Sequence, residues 1–267
     1  MAAQASTPIR RTASRFVGWL SDRGIPGFLR RPVFATYCLL TRADASEARL
    51  DYRGYTSLSA FFVRRLKEGA RTIAADPAVL PSPCDGRVQA AGAAEAGRML
   101  QAKGVDYPVE ELLAGAAAPA EIQDAQTWTL YLSPRDYHRV HAPLEATLEE
   151  VRWVPGARYS VAPKVAARLQ GLFALNERAV LKLSTPRGPY FLVMVGALNV
   201  GRIRVLGVAP DGPAPSPPRR FARGEELARF EMGSTVILVL PRALGFAPLP
   251  ELTPGTPLRL GEPIGRT

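Results

Sequence analysis

Four side chains carry most of the chemistry this sequence could perform. The chain of 267 residues has two histidines, and both stand in YLSPRDYHRVHAP, as His138 and His141. Neutral imidazole is the natural base near pH 7, and the whole histidine supply lies three residues apart, after a strand-like run, which argues for use rather than packing. Two histidines could also begin a metal site, but no third ligand stands nearby, so no metal is expected. Asp85 precedes Gly86 in SPCDGRV. Asp-Gly is first a turn signal and second an acid placed to orient a histidine. Ser234 lies in EMGSTVILVL, between Gly233 and Thr235, at the mouth of an apolar, β-branched run that reads as a short buried strand. The order Asp…His…Ser contains a nucleophile, its base and the group that holds the base. Cys84, beside Asp85, is a weaker candidate nucleophile with no other feature in its support.

The frame around Ser234 is wrong for a nucleophile elbow, which needs G-x-S-x-G on a strand-to-helix turn. Here the serine follows Gly233 directly, lacks the second glycine and leads into a strand. What glycine offers instead is a carbonyl with no Cβ to shield it, on backbone that tolerates strained dihedrals. Attack by the deprotonated Ser234 hydroxyl on that carbonyl would exchange the amide for an ester. Elimination from Ser234 would then divide the chain into 1–233 and 234–267, leaving a dehydroalanine that hydrolyses to a pyruvoyl group. Such a group is an electron sink obtained without pyridoxal phosphate.

The elements that must position these residues are legible in outline. Strands are expected at GRVQAA, TWTLYLS (127–133), ATLEEVRWV (146–154), AVLKLS (179–184) and YFLVMVGALNVGRIRVLGV (190–208). PVEELLAG (108–115) reads as one short helix, and the Pro-rich APDGPAPSPPRR (209–220) as an exposed loop. TSLSAFFVRRLKEGART predicts a helix capped by Thr56 or Ser57 and ending near Gly69. Residues 8–42 predict short helices broken at Gly24-Ile25-Pro26 and at Pro32, with Arg interleaved among Trp and Phe. That pattern suits an interfacial amphipathic segment, and equally a helical cap with its charges in water. The expected fold is α+β, mainly β: N-terminal helices followed by a β-rich, sandwich- or barrel-like core in one compact domain.

Composition narrows the partners. A net charge of +10 predicts attraction to an anionic surface, either nucleic acid or membrane. Cys38 and Cys84 make no disulfide framework and read as free thiols. The N-terminus lacks the apolar core of a secretory signal, and no apolar run reaches the roughly 18–20 residues of a membrane-spanning helix.

The chain resembles the bacterial, membrane-associated phosphatidylserine decarboxylases. FFVRRLK is similar to the family's Phe-Phe-x-Arg-x-Leu-Lys segment, SPCDGRV to its Asp-Gly motif, and QAKGVDYPVEELLAG to its Lys-Gly-x-x-Tyr…Leu-Leu-x-Gly stretch. YLSPRDYHRVHAP resembles its histidine motif and VPGARYSVAP its Pro-Gly-x-x-Tyr/Phe-Ser-Val segment; ALNERAV, VGALNVGRI and GEELARFEMGST follow in the family's order. The resemblance implies self-cleavage between Gly233 and Ser234 by a charge relay of Asp85, His141 and Ser234. It implies a covalent pyruvoyl cofactor made from Ser234, which forms a Schiff base with phosphatidylserine and releases CO2 to give phosphatidylethanolamine. His138 is assigned to substrate handling or proton transfer. The implied product is a heterodimer of 1–233 and 234–267, with further dimerisation open. It is peripheral on the cytoplasmic side of the cell membrane, with residues 1–50 as the membrane-contacting segment and 51–267 as the catalytic domain. Met232 stands where the family usually has leucine, and Arg202 where a small residue is common. Two other readings stay open: a Ser-His-Asp hydrolase that keeps its chain intact, and a basic binding module. The second lacks the recognition-helix or aromatic-basic sheet signature of nucleic-acid binders, so no nucleic acid is expected.

Overall fold

The apolar runs fold as strands, and the computed structural model describes them within residues 21–102, 104–197, 203–209, 211–231 and 234–267. Residues 8–20, Arg202, Met232 and Gly233 therefore lie outside the described residues. The first strands are β1 (Val79–Pro81), β2 (Gly86–Ala93), β3 (Arg98–Ala102), β4 (Val105–Pro108) and β5 (Gln126–Leu132). Next come β6 (Arg139–His141), β7 (Ala146–Val154), β8 (Arg178–Thr185) and β9 (Gly188–Val195). The remainder are β10 (Ile203–Val205), β11 (Arg219–Phe221), β12 (Glu226–Phe230), β13 (Ser234–Leu240), β14 (Ala247–Pro248), β15 (Pro257–Leu258) and β16 (Pro263–Arg266). The mainly β expectation holds.

One antiparallel sheet dominates, in the order β11-β7-β8-β9-β13-β5-β2-β15. Smaller sheets join β10-β12-β6, β1-β16-β14 and β3-β4. Strand β13 explains why its sequence shows no polar alternation. Val236, Leu238 and Leu240 enter one hydrophobic cluster with Trp128 and Leu192, while Ile237 and Val239 enter a second with Phe191 and Phe173. A strand covered on both faces must be apolar at every position. Each such buried side chain contributes about 1.5–3 kcal/mol.

Two helices differ from expectation. The first, α1 (Gly27–Thr41), starts after the expected break at 24–26 but runs through Pro32. Proline there forfeits one helical hydrogen bond. The helix persists because Phe34 is fully buried against Tyr52, Tyr55 and Phe61. The second, α2 (Leu58–Phe62), is capped by the Ser57 hydroxyl, which accepts from Ala60 N at 3.1 Å, as the sequence predicts. It ends at Phe62 instead of near Gly69. Residues 65–67 instead run beside 47–49: Arg49 N donates to Arg65 O and Lys67 N to Glu47 O. Tertiary pairing outbids local helix propensity here. The helix expected at 108–115 forms over Val109–Leu113. The strand expected over 190–208 is two strands, β9 and β10. The expected loop at 209–220 gives way to β11 at Arg219.

Candidate active site

The Asp-Gly turn opens β2. Gly86 has φ +154°, and a Cβ there would stand 2.5 Å from the Tyr131 carbonyl oxygen, so only glycine lets β2 lie this close to β5. Arg87 and Thr235 both pair with Tyr131, from opposite sides of β5. Asp85 and Ser234 consequently stand at the same end of the sheet, with Gly86 and Ser234 two strand spacings, or about 10 Å, apart.

Asp85 is buried and fully engaged. Arg71 grips both carboxylate oxygens, with Nε donating to Oδ1 at 2.9 Å, and Leu260 N donates to Oδ1 at 2.8 Å. Arg71 also reaches Glu47 at 2.8 Å. Burial penalises the Arg71 cation, but Asp85 and Glu47 outweigh that and raise its pKa.

The histidines differ in what their rings touch. His141 donates from Nδ1 to Gly224 O at 2.8 Å and accepts at Nε2 from the Tyr137 hydroxyl at 3.1 Å. Its backbone N–H bonds Pro83 O, two residues before Asp85. Burial lowers its pKa, against the opposing charges of Glu226 and Asp85. His138 is fully buried, donates from Nδ1 to Asp136 O at 2.8 Å, and packs its ring 3.9 Å from that of Phe62. Its Nε2 has no hydrogen-bond partner among the described residues. Burial, reinforced by the Arg64 charge, pushes its pKa down to about 3.

Ser234 is fully buried, and its Oγ also has no hydrogen-bond partner among the described residues. Among the described residues no hydrogen bond joins Asp85, His141 and Ser234. The antiparallel pairing of β6 with β12 sets His141 opposite Glu226, whereas the His138 carbonyl accepts from Phe230 N, three residues before Gly233. His138 is thus the histidine at the Ser234 end of that ladder. Two cavities flank Tyr137 and Arg71: one of about 340 Å³ bordered by His141, Arg49, Arg65 and Lys67, and one of about 330 Å³ bordered by Asp85, Arg64 and Arg135. Cys84 is fully buried, and burial pushes its thiol well up, which leaves it inert as a nucleophile.

Tyr137, Arg71, Phe62 and Arg64 were not singled out in the sequence, although Tyr137 abuts the histidine pair and the other three lie in the segment around FFVRRLK. The roles of Arg71, Phe62 and Arg64 come from partners more than ten residues away, a distance at which spacing carries no signal, whereas Tyr137 stands four residues from its partner His141 and could have been noticed.

Neutral burial of His138 sets a pH dependence. Its folded pKa lies below the unfolded value of 6.5, so the unfolded chain binds more protons as pH falls from about 6.5 toward 3, and stability drops. The slope from this one group is about 1.4 kcal/mol per pH unit. Urea unfolding at pH 7 and pH 5 should show a loss smaller by about 2 kcal/mol in His138→Gln than in the unsubstituted chain. Equal losses would mean that His138 is not buried neutral.

The family profile described as phosphatidylserine decarboxylase matches residues 58–266. A phosphatidylserine decarboxylase proenzyme of Halorhodospira halophila is 42% identical over 257 residues, covering 93% of this chain and 84% of the relative. Proenzymes of the same name from Anaeromyxobacter sp. (strain K) and Ectopseudomonas mendocina are 40% and 38% identical, covering 96% and 94% of this chain and 94% and 92% of their own lengths. The class is that of the decarboxylating lyases whose chains are made as proenzymes. Within it, this chain belongs to the phosphatidylserine decarboxylase family.

Proposed function

We propose that the chain cuts itself between Gly233 and Ser234 and, with the pyruvoyl group formed there, converts phosphatidylserine to phosphatidylethanolamine and CO2. The observation that carries this reading is the Ser234 hydroxyl: fully buried, without a partner among the described residues, and on a residue whose preceding peptide bond is to glycine. A buried hydroxyl left unbonded costs free energy, and such a cost is tolerated where the group must react. The pyruvoyl group fits the position, since it would be made in place at the head of β13. It supplies a ketone that takes up the substrate amine and draws off electrons as CO2 departs.

The remaining work falls to side chains. His141 is the base for cleavage: burial and the Arg139 charge disfavour the cation it becomes, but the Gly224 carbonyl, Glu226 and Asp85 favour it. Asp85, held by Arg71, supplies that field without moving. The hydroxyl of Tyr137 must turn away from His141 Nε2 for the ring to accept a proton. His138 stays neutral and offers Nε2 to the substrate amine or to the proton that replaces CO2. Phe62, its ring tilted by 41° against that of His138, covers one side of the imidazole. A second reading exchanges the histidines, and the position of His138 at the Ser234 end of the β6–β12 ladder favours it. Hydroxylamine, which caps ketones, should abolish CO2 release from phosphatidylserine vesicles; full release in its presence would refute pyruvoyl catalysis.

The two pieces, 1–233 and 234–267, would remain together as a heterodimer, with residues 1–50 resting on the cytoplasmic face of the cell membrane. Among the described residues no helix is long and apolar enough to cross a bilayer. Helix α1 nevertheless exposes Phe28 (81%), Leu39 (79%) and Leu40 (78%), with Arg30 and Arg31 on the same helix and Arg42 at its end. Large apolar groups beside cations suit an anionic interface. Leu39→Asp/Leu40→Asp should lower co-flotation with anionic vesicles at least about tenfold, since each change removes an apolar anchor and adds repulsion. Unchanged flotation would remove α1 from the membrane contact.

A further inference from the structure

Arg64 is only 4% exposed, yet Nε and Nη1 have no hydrogen-bond partner among the described residues. Nη2 alone is engaged, on the carbonyls of Arg135 at 2.9 Å and Asp136 at 3.5 Å, and the guanidinium lies 5.2 Å over the Phe61 ring. A buried cation with two idle donors is costly unless an anion meets it. The acids around the same 330 Å³ cavity are taken. Glu47 and Asp85 bind Arg71, Asp136 accepts from Ser133, Asp44 from Ser46 N, and Glu262 from Arg259 N.

We infer that Arg64 is the docking point for a phosphodiester, that of the headgroup of the lipid substrate. The inference rests on the function proposed above. A guanidinium gives a phosphate charge-assisted N–H donors, and Arg64 has two idle ones, on Nε and Nη1, each able to meet an anionic oxygen. The substrate also carries a carboxylate, but a cation bonded to that group would stabilise the ground state and oppose loss of CO2. The phosphodiester keeps its charge throughout the reaction and can be held without that cost. A lipid rather than free phosphate follows from the surroundings. Arg42, at the end of the apolar helix α1, borders the same cavity, and the Tyr37 hydroxyl of α1 bonds Pro134 O in the loop that carries His138. The headgroup would therefore pass from the helix that meets the bilayer to Arg64, whose charge already acts on His138.

The test uses the full chain with Ser234→Ala, which binds without turnover. Titration calorimetry with glycerophosphoethanolamine, inorganic phosphate and serine should show that the diester binds. Arg64→Met should weaken that binding by about tenfold or more, with Arg64→Lys between the two. Serine should be indifferent to the substitution. Binding of phosphate without the diester, serine binding that depends on Arg64, or diester binding unaffected by either variant would each overturn the proposal. Should Arg64→Met fail to fold, Arg64→Lys carries the test. In the Ser234 chain Arg64→Lys should still self-cleave and raise KM for phosphatidylserine more than it lowers kcat. A reversed split overturns the proposal. Diester binding that depends on Arg64, in a protein that never releases CO2, would sink the decarboxylase reading and leave the anion site standing.

Discussion

Ser234→Ala is expected to remain one uncut chain of 28.9 kDa and to release no CO2 from phosphatidylserine. The unsubstituted protein should instead resolve into two chains by intact mass, the second beginning at residue 234. Both losses follow from one atom, because Oγ is at once the attacking group and the oxygen expelled when the chain parts. The substitution should cost almost nothing in stability. Among the described residues Ser234 Oγ has no hydrogen bond to lose, so alanine removes a buried polar group that none of them satisfies. The urea midpoint should therefore stay level or rise slightly, separating lost chemistry from lost fold. Two chains from Ser234→Ala would end the self-cleavage reading outright.

The histidines should separate the two reactions. His141→Ala is expected to stay whole. His138→Ala should cut itself and then decarboxylate at least about a hundredfold more slowly, the usual scale for removing a proton-transfer group. The difference rests on where each ring could keep a proton. An imidazolium at 141 has Glu226 and Asp85 to offset the Arg139 charge, while one at 138 would be fully buried beside the Arg64 charge with no acid to offset it in the same way. Burial makes His138 a poor base in the precursor. An anionic headgroup arriving at Arg64 would cancel the opposing charge and raise its proton affinity when substrate is present. One gel and one CO2 assay on the two variants decide the matter. The opposite pattern, an uncut His138→Ala beside a cut His141→Ala, would exchange the two roles.

Much of the scaffold could be read from local pattern. The run Val236–Leu240 was legible as a buried strand because a strand apolar at every position needs cover on both faces, and two hydrophobic clusters provide it. Ser57 was legible as a cap because its hydroxyl acts three residues away. The stretch after Phe62 was not, since what draws residues 65–67 out of the helix is a ladder with 47–49. The passage of α1 through Pro32 was hidden for a similar reason, being settled by Phe34 packing on Tyr52, Tyr55 and Phe61. At the site, residue types gave Asp85, His138, His141 and Ser234. That Arg71 holds Asp85, and that Tyr137 occupies one nitrogen of His141, depends on contacts no spacing rule encodes.

The placement of β13 has a further consequence. This strand lies between β9 and β5 in the interior of the main sheet, while β15 and β16, from the same stretch of chain, pair with β2 and β1. A cut before Ser234 would free no domain; it would turn an intramolecular strand into a bound peptide, held by two full ladders. A protein so divided would be a complex in the thermodynamic sense. Its recovery from denaturant would be a second-order process, its melting temperature would rise with protein concentration, and dilution would favour the unfolded chains. The uncut Ser234→Ala chain escapes all three, so a chain that folds first and divides afterwards does its hardest assembly while its two parts are still tethered.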